Sequence, residues 1–209
     1  MLTDELAAAP ITDAEWKNMS ELMSELRKIQ RDDLFVPVAR LQLHYALNQI
    51  KRTDENDKTE LNRLRKFARG VAFNIAAFTW PGWDDTGPIS NENQKLGLSA
   101  ARVALDFATR AEDITFNALW INGAHELNAK NFEIAIEFFE KARDTADETS
   151  GKKMASGWVA LTELLTDKTQ KKQTRLDEAI AELRQADANN GEFFAQQIET
   201  ALNVYTRDE

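Results

Sequence analysis

The 209-residue chain has no cysteine, four prolines, eight glycines, two histidines and no long run of apolar residues. Without cysteine there is no disulfide, no thiolate zinc site and no cysteine nucleophile, so nothing calls for an oxidising compartment, and a cytoplasmic setting is expected. Glycine and proline are scarce and no long stretch alternates apolar with polar residues, which removes support for strands. The most apolar stretch, Val71 to Trp80, contains Asn74 and Thr79. It is about half the ~20 residues that a bilayer crossing needs and reads as a buried helix. Met1 to Leu6 carries acid where a secretory leader would carry basic residues, so no leader is expected. Positive charge is in deficit as well: 26 Lys and Arg against 35 Asp and Glu leave −9, which argues against nucleic acid or an anionic membrane as partner.

Helical spacing is what the chain has in abundance. Trp16, Met19, Leu22, Met23, Leu26 and Ile29 step by threes and fours behind Thr12 and Glu15, which have capping-box spacing, and predict a helix over about residues 13–31. Ala39, Leu43, Ala46, Leu47 and Ile50 line a second helix, ended by the polar run Arg52 to Asp57. Leu61, Leu64, Ala68, Val71, Ile75 and Phe78 line a third, stopped at Trp80-Pro81-Gly82. After a loop, faces built on Leu98 to Ala108, Phe116 to Leu127, Phe132 to Ala142, Met154 to Leu165, Leu176 to Ala186 and Phe194 to Tyr205 complete about nine helices. The expected fold is a single all-α domain: residues 1–57 as an N-terminal helical pair, 58–188 as stacked helix pairs, and 189–209 as a capping helix.

A repeat organises the middle of the chain. Ala101, Leu105 and Ala108 are echoed 34 residues on by Ala135, Phe139 and Ala142, the period of a helix-turn-helix unit. Only Ala129-Lys130-Asn131 separates two of the helices, which makes them antiparallel neighbours. Gly123, Ala135 and Ala142 are then small because helix axes about 8–10 Å apart require it, with Phe132 and Phe139 filling the space beside them. A third copy, Leu176, Ala179, Ile180, Leu183 and Ala186, lies 44 rather than 34 residues on. The ten extra residues are expected as a loop in the polar stretch Thr166 to Arg175.

The segments Leu119-Trp120-Ile121-Asn122-Gly123-Ala124-His125 and Asn131-Phe132-Glu133-Ile134-Ala135-Ile136-Glu137-Phe138-Phe139-Glu140-Lys141-Ala142 resemble the tetratricopeptide repeat. Leu176 to Ala186 matches the second half of that motif, and the family's closing proline is missing after Ala142. The resemblance covers about half the chain, Leu98 to Ala186. It implies antiparallel helix pairs stacked as a right-handed superhelix whose concave face holds a peptide or partner protein. It also implies Asn117, Trp120, Ala124, Leu127 and Asn128 as groove residues, with Trp120 and Leu127 giving apolar contact and the two asparagines hydrogen bonds. Family members that clamp a C-terminal carboxylate use Lys, Arg and Asn in this groove, whereas here Trp120 and Ala124 stand in such places.

Outside the repeat, Trp80-Pro81-Gly82-Trp83-Asp84-Asp85-Thr86-Gly87-Pro88 is the most unusual segment. It is either a binding loop, with Trp80 and Trp83 as walls and Asp84 and Asp85 as anchors, or a plug whose tryptophans pack onto helix ends. Asp85-Thr86-Gly87 spells the aspartic-protease triplet, but that chemistry needs two carboxylates on strands. His44 and His125 stand on different helices with no carboxylate at a metal-ligand spacing, so no metal or cofactor is expected. Arg63, Arg65, Lys66 and Arg69 stripe the third helix, and of these Arg65 and Arg69 are the candidate anion contacts. The expected role is a protein-interaction module rather than an enzyme. The alternatives are a small-molecule site or enzyme pocket under the Trp80 loop, using Asp84 or Asp85 with Arg65 or Arg69, and a subunit that self-associates as a homodimer.

Overall fold

The computed structural model describes residues 12–29, 31–84, 89–187 and 190–207. Among them the chain is all-helical: α1 (Asp13–Lys28), α2 (Asp32–Arg52), α3 (Lys58–Phe78), a 3₁₀ turn (Pro81–Trp83), α4 (Asn91–Arg110), α5 (Phe116–Asn128), α6 (Phe132–Thr145), α7 (Thr149–Thr166), α8 (Gln170–Ala186) and α9 (Gly191–Thr206). The helices start where side chains can satisfy orphan N–H groups. Thr12 and Glu15 form the reciprocal pair ahead of α1, each accepting the other's backbone N–H at 2.7 and 3.3 Å. Asp57, Ser90, Thr115 and Thr169 accept the N–H three residues on and cap α3, α4, α5 and α8.

Two boundaries depart from the sequence reading. The first helix ends at Lys28, three residues early. More consequentially, the ten extra residues form no loop: only Asp167 to Thr169 links α7 to α8, as short a link as Ala129 to Asn131 between α5 and α6. The additional length goes into the helices, with 18 and 17 residues in α7 and α8 against 13 and 14 in α5 and α6. A polar, exposed front to α8 is stable because its cations meet acids of α7 and the link. Arg175 pairs with Glu163, and Lys172 with Asp167 at 3.3 Å.

Each helix packs on the next, and α3, α5, α7 and α9 also touch in succession as an inner row. The row bends back far enough for α9 to meet the 3₁₀ turn that follows α3. One hydrophobic core runs from Met23 to Ala201, and a smaller cluster of Ala46, Leu64, Ala68 and Phe107 joins α2, α3 and α4. The close approach expected in the α5–α6 pair is present. Ala135 and Ala142 are fully buried, and a Cβ added at Gly123 would stand 2.7 Å from the Phe139 ring. No helix among the described residues is long and apolar enough to cross a membrane.

Candidate functional site

The centre of the inner row is occupied by tryptophan. Trp80, fixed between the end of α3 and the 3₁₀ turn, is 1% exposed and meets Trp83, Trp120 and Trp158 edge-on at ring-centroid distances of 5.0, 5.6 and 5.5 Å. Trp120 and Trp158 stand 5.7 Å apart, and Trp158 stacks on Phe139 at 5.7 Å. Edge-to-face geometry sets the positive rim of one ring against the negative face of the next, so the cluster gains more than its buried area. Two indole N–H groups anchor it: Trp80 Nε1 donates to the Ala124 carbonyl at 2.9 Å, and Trp83 Nε1 to the Ala77 carbonyl at 2.8 Å. Asp84 follows with φ 53, in the left-handed region, and its carboxylate takes a forked hydrogen bond from Arg207 at the end of α9. That bond holds the Asp84 carboxyl below the usual carboxylate range.

This cluster divides the groove expected on α5. Ala124 and Leu127 are buried in the core, the Ala124 carbonyl accepting from Trp80 Nε1, and Asn128 donates to Gln94 Oε1 at 2.9 Å, part-buried against α4. The expectation that these three line an open surface is corrected: two are fully buried in the core and the third is tied to α4. Trp120 is 4% exposed and joins the indole cluster, yet its edge, together with exposed Asn117, faces an open cleft. Trp80 thus packs as a plug, while Trp83 is only half-buried and lines the cleft. Asp85 lies outside the described residues.

The cleft has a volume of about 860 Å³ and opens on the inner row. Phe73 and Ala77 of α3, Trp83, and Phe116 and Trp120 at the front of α5 line it. Phe193 and Phe194 of α9 line it as well, together with the α6–α7 link and the first turns of α7. Phe193 is 57% exposed, an unusual position for a phenylalanine, and its ring lies 5.7 Å from that of Phe194. The sequence reading passed over Phe193 because it sits off the Phe194, Ile198, Ala201, Tyr205 face. The available signal was the adjacent aromatic pair, since neighbours on a helix point about 100° apart and cannot both face the core.

Other polar groups along the inner row bond within the fold. Asn122 Nδ2 donates to the Ala101 and Ala118 carbonyls at 2.9 and 2.8 Å, tying α5 to α4. His125 Nε2 donates to the Ala76 carbonyl of α3 at 2.9 Å, and burial lowers its pKa to about 4, so the ring is neutral. Gly97 lets α4 pass this point, since a Cβ there would lie 2.4 Å from His125 Cε1. Buried Glu126 pairs with Arg102 at 2.8 Å and accepts from Asn131 at 2.7 Å. Arg69 is engaged by Asp113 at 2.7 Å. Asp84 binds Arg207 instead of Arg65 or Arg69, so the grouping anticipated under the Trp80 loop is not assembled among the described residues. Nor do three His, Asp or Glu side chains gather there as a metal site.

The geometry defines a class, an all-α stack of consecutive helix pairs with an aromatic cleft on its inner row. Compared with known proteins, the chain matches no family model, no curated protein and no solved structure.

Proposed function

We propose that the chain is a tetratricopeptide-like interaction module that holds a segment of a partner protein in the cleft between Trp83, Trp120 and Phe193. The observation that carries this reading is the aromatic cleft on the inner row, with an exposed phenylalanine on one lip and Asn117 on the other. Exposed aromatic residues around a concavity are the composition of interface hot spots, where a few well-packed rings supply most of the binding free energy. Asn117, an exposed lining residue, has a side-chain amide with no hydrogen-bond partner among the described residues and is available to a peptide backbone. A cytoplasmic setting belongs to the same proposal. The test is affinity capture with the native chain against Phe193→Ser and Asn117→Ala, both exposed positions whose replacement leaves the thermal midpoint nearly unchanged. Loss of the captured partner with Phe193→Ser and weakening with Asn117→Ala is expected; capture unchanged in both contradicts the reading.

A second reading follows from size alone, because about 860 Å³ lies within the ~300–1,000 Å³ of small-ligand pockets. An organic ligand would shift tryptophan fluorescence in a screen of metabolites while no protein is captured.

A further inference from the structure

We propose that the partner segment held in this cleft is basic, presenting a Lys or Arg side chain to the aromatic residues and the two carboxylates that line it. The proposal rests on the interaction-module reading and adds the chemistry of the occupant. Charge comes first. Among the described residues lining the cleft, the only ionisable ones are Asp147 and Glu148, on the link between α6 and α7; no Lys, Arg or His is present. Neither carboxylate has an ion pair or a side-chain hydrogen bond among the described residues, and both are exposed. Their neighbours differ: Glu192 and Glu199, on the same α9 that supplies Phe193, are both taken by Arg184.

The neutral polar groups carry the argument further. Ser150, 8% exposed on the first turn of α7, lines the cleft with a hydroxyl that has no partner among the described residues. Gln197 Oε1, on α9, is buried with no donor among the described residues. An acceptor left in that state is destabilising until an N–H or O–H reaches it. Two carboxylates, the Gln197 amide oxygen and the Ser150 hydroxyl offer acceptors that an ammonium or guanidinium group, a pure donor, complements, while Trp120 Nε1, buried on the same lining with no acceptor among the described residues, is left for a backbone carbonyl of the segment. The aromatic faces of Trp83, Phe116 and Phe193 favour the same group through cation–π attraction, and they pack against its methylene stem. An uncharged apolar segment would fill the rings and leave the two carboxylates without a counter-charge. An acidic segment, or a second copy of this chain with its net charge of −9, would meet like charge at these carboxylates.

Selection of random 12-residue display peptides on the native chain, with parallel selection on Phe193→Ser and on Asp147→Asn/Glu148→Gln, tests this. The expected result is enrichment of peptides that combine Lys or Arg with an aromatic or aliphatic residue. Their affinity should fall at least tenfold in the double carboxamide variant and in Phe193→Ser, with the circular-dichroism melting curve of each variant unchanged. Basic peptides that bind all three proteins equally would report attraction to net charge alone and overturn the proposal. Acidic or uncharged peptides that need Phe193 would overturn it too, while leaving the module reading standing. Peptides that never discriminate the native chain from Phe193→Ser would remove both.

Discussion

Trp80 Nε1 donates a 2.9 Å hydrogen bond to the carbonyl of Ala124, 44 residues along the chain. That single bond fixes the plug on the inner row, because it seats the indole over α5 and brings its ring against Trp120 and Trp158. The inner row is thereby filled with indole rings at Trp80, Trp120 and Trp158, and beside them, between Trp83, Trp120 and Phe193, lies the cleft.

Trp80→Ala removes a fully buried ring at the junction of α3, α5 and α7, with an expected loss of about 3–5 kcal/mol of unfolding free energy. Trp80→Phe keeps most of the apolar contact and forfeits the hydrogen bond and part of the ring, so its loss should be clearly smaller. Urea unfolding midpoints followed by far-ultraviolet circular dichroism check the order; equal losses would mean that the ring volume does not matter.

Two glycine replacements should move stability in opposite directions. At Gly70 on α3 an added Cβ meets nothing within 4 Å, so Gly70→Ala gains helix propensity and stabilises by about 0.5–1 kcal/mol. At Gly123 the Cβ would lie 2.7 Å from Phe139 Cε1, and Phe139, stacked on Trp158, has no free space to enter. Gly123→Ala should therefore destabilise by about 1–3 kcal/mol despite the same propensity gain. Calorimetric melting of the pair reads the sign directly.

His125 makes stability depend on mild acid. The unfolded histidine takes up its proton near pH 6.5, whereas the folded ring, desolvated between α3 and α5, resists until about pH 4. The unfolded state thus binds more protons across this window, and stability present at pH 7 is lost as pH falls from 6.5 to 4, on the order of 3 kcal/mol. His125→Gln should be less stable at pH 7 yet show a shallower decline over that window. Urea midpoints at half-unit pH steps test it, and parallel declines would rule the histidine out as the cause.

The Asp84–Arg207 pair should fasten the 3₁₀ turn locally. Its hydrogen bond holds the Asp84 carboxyl below the usual carboxylate range, so the contribution is present above that range and is lost as pH falls through the lowered folded value. Arg207→Ala should speed amide exchange at residues 82–84 and leave the melting temperature almost unchanged, as expected for an exposed pair. A large drop in melting temperature would mean that the pair supports the whole stack.

Helix content and pairing were legible because burial leaves a periodic mark: the spacing of Leu61 to Phe78 marks α3, and Gly123 facing Phe139 follows from the short link at Ala129 to Asn131. The groove was legible only in part. Spacing identifies which face of α5 is apolar but not what covers it, and the Ala124 carbonyl is met by Trp80, which arrives from a segment with no period. Phe193 and the α6–α7 link escaped because their roles come from the bend of the inner row, a property of the assembled helices. The polar front of α8 resembled a loop because its stability rests on ion pairs such as Lys172 with Asp167 instead of on an apolar stripe.

The central claim is that the open half of the inner row, at Phe193 and Asn117, is where a partner sits. A photoreactive benzoylphenylalanine placed singly at positions 193, 117 and 134 tests it inside cells, position 134 being the exposed Ile134 of α6, outside the cleft. The account predicts one covalent adduct of the same mass from positions 193 and 117 and none from position 134. Adducts from position 134 alone, or equally from all three, would contradict it.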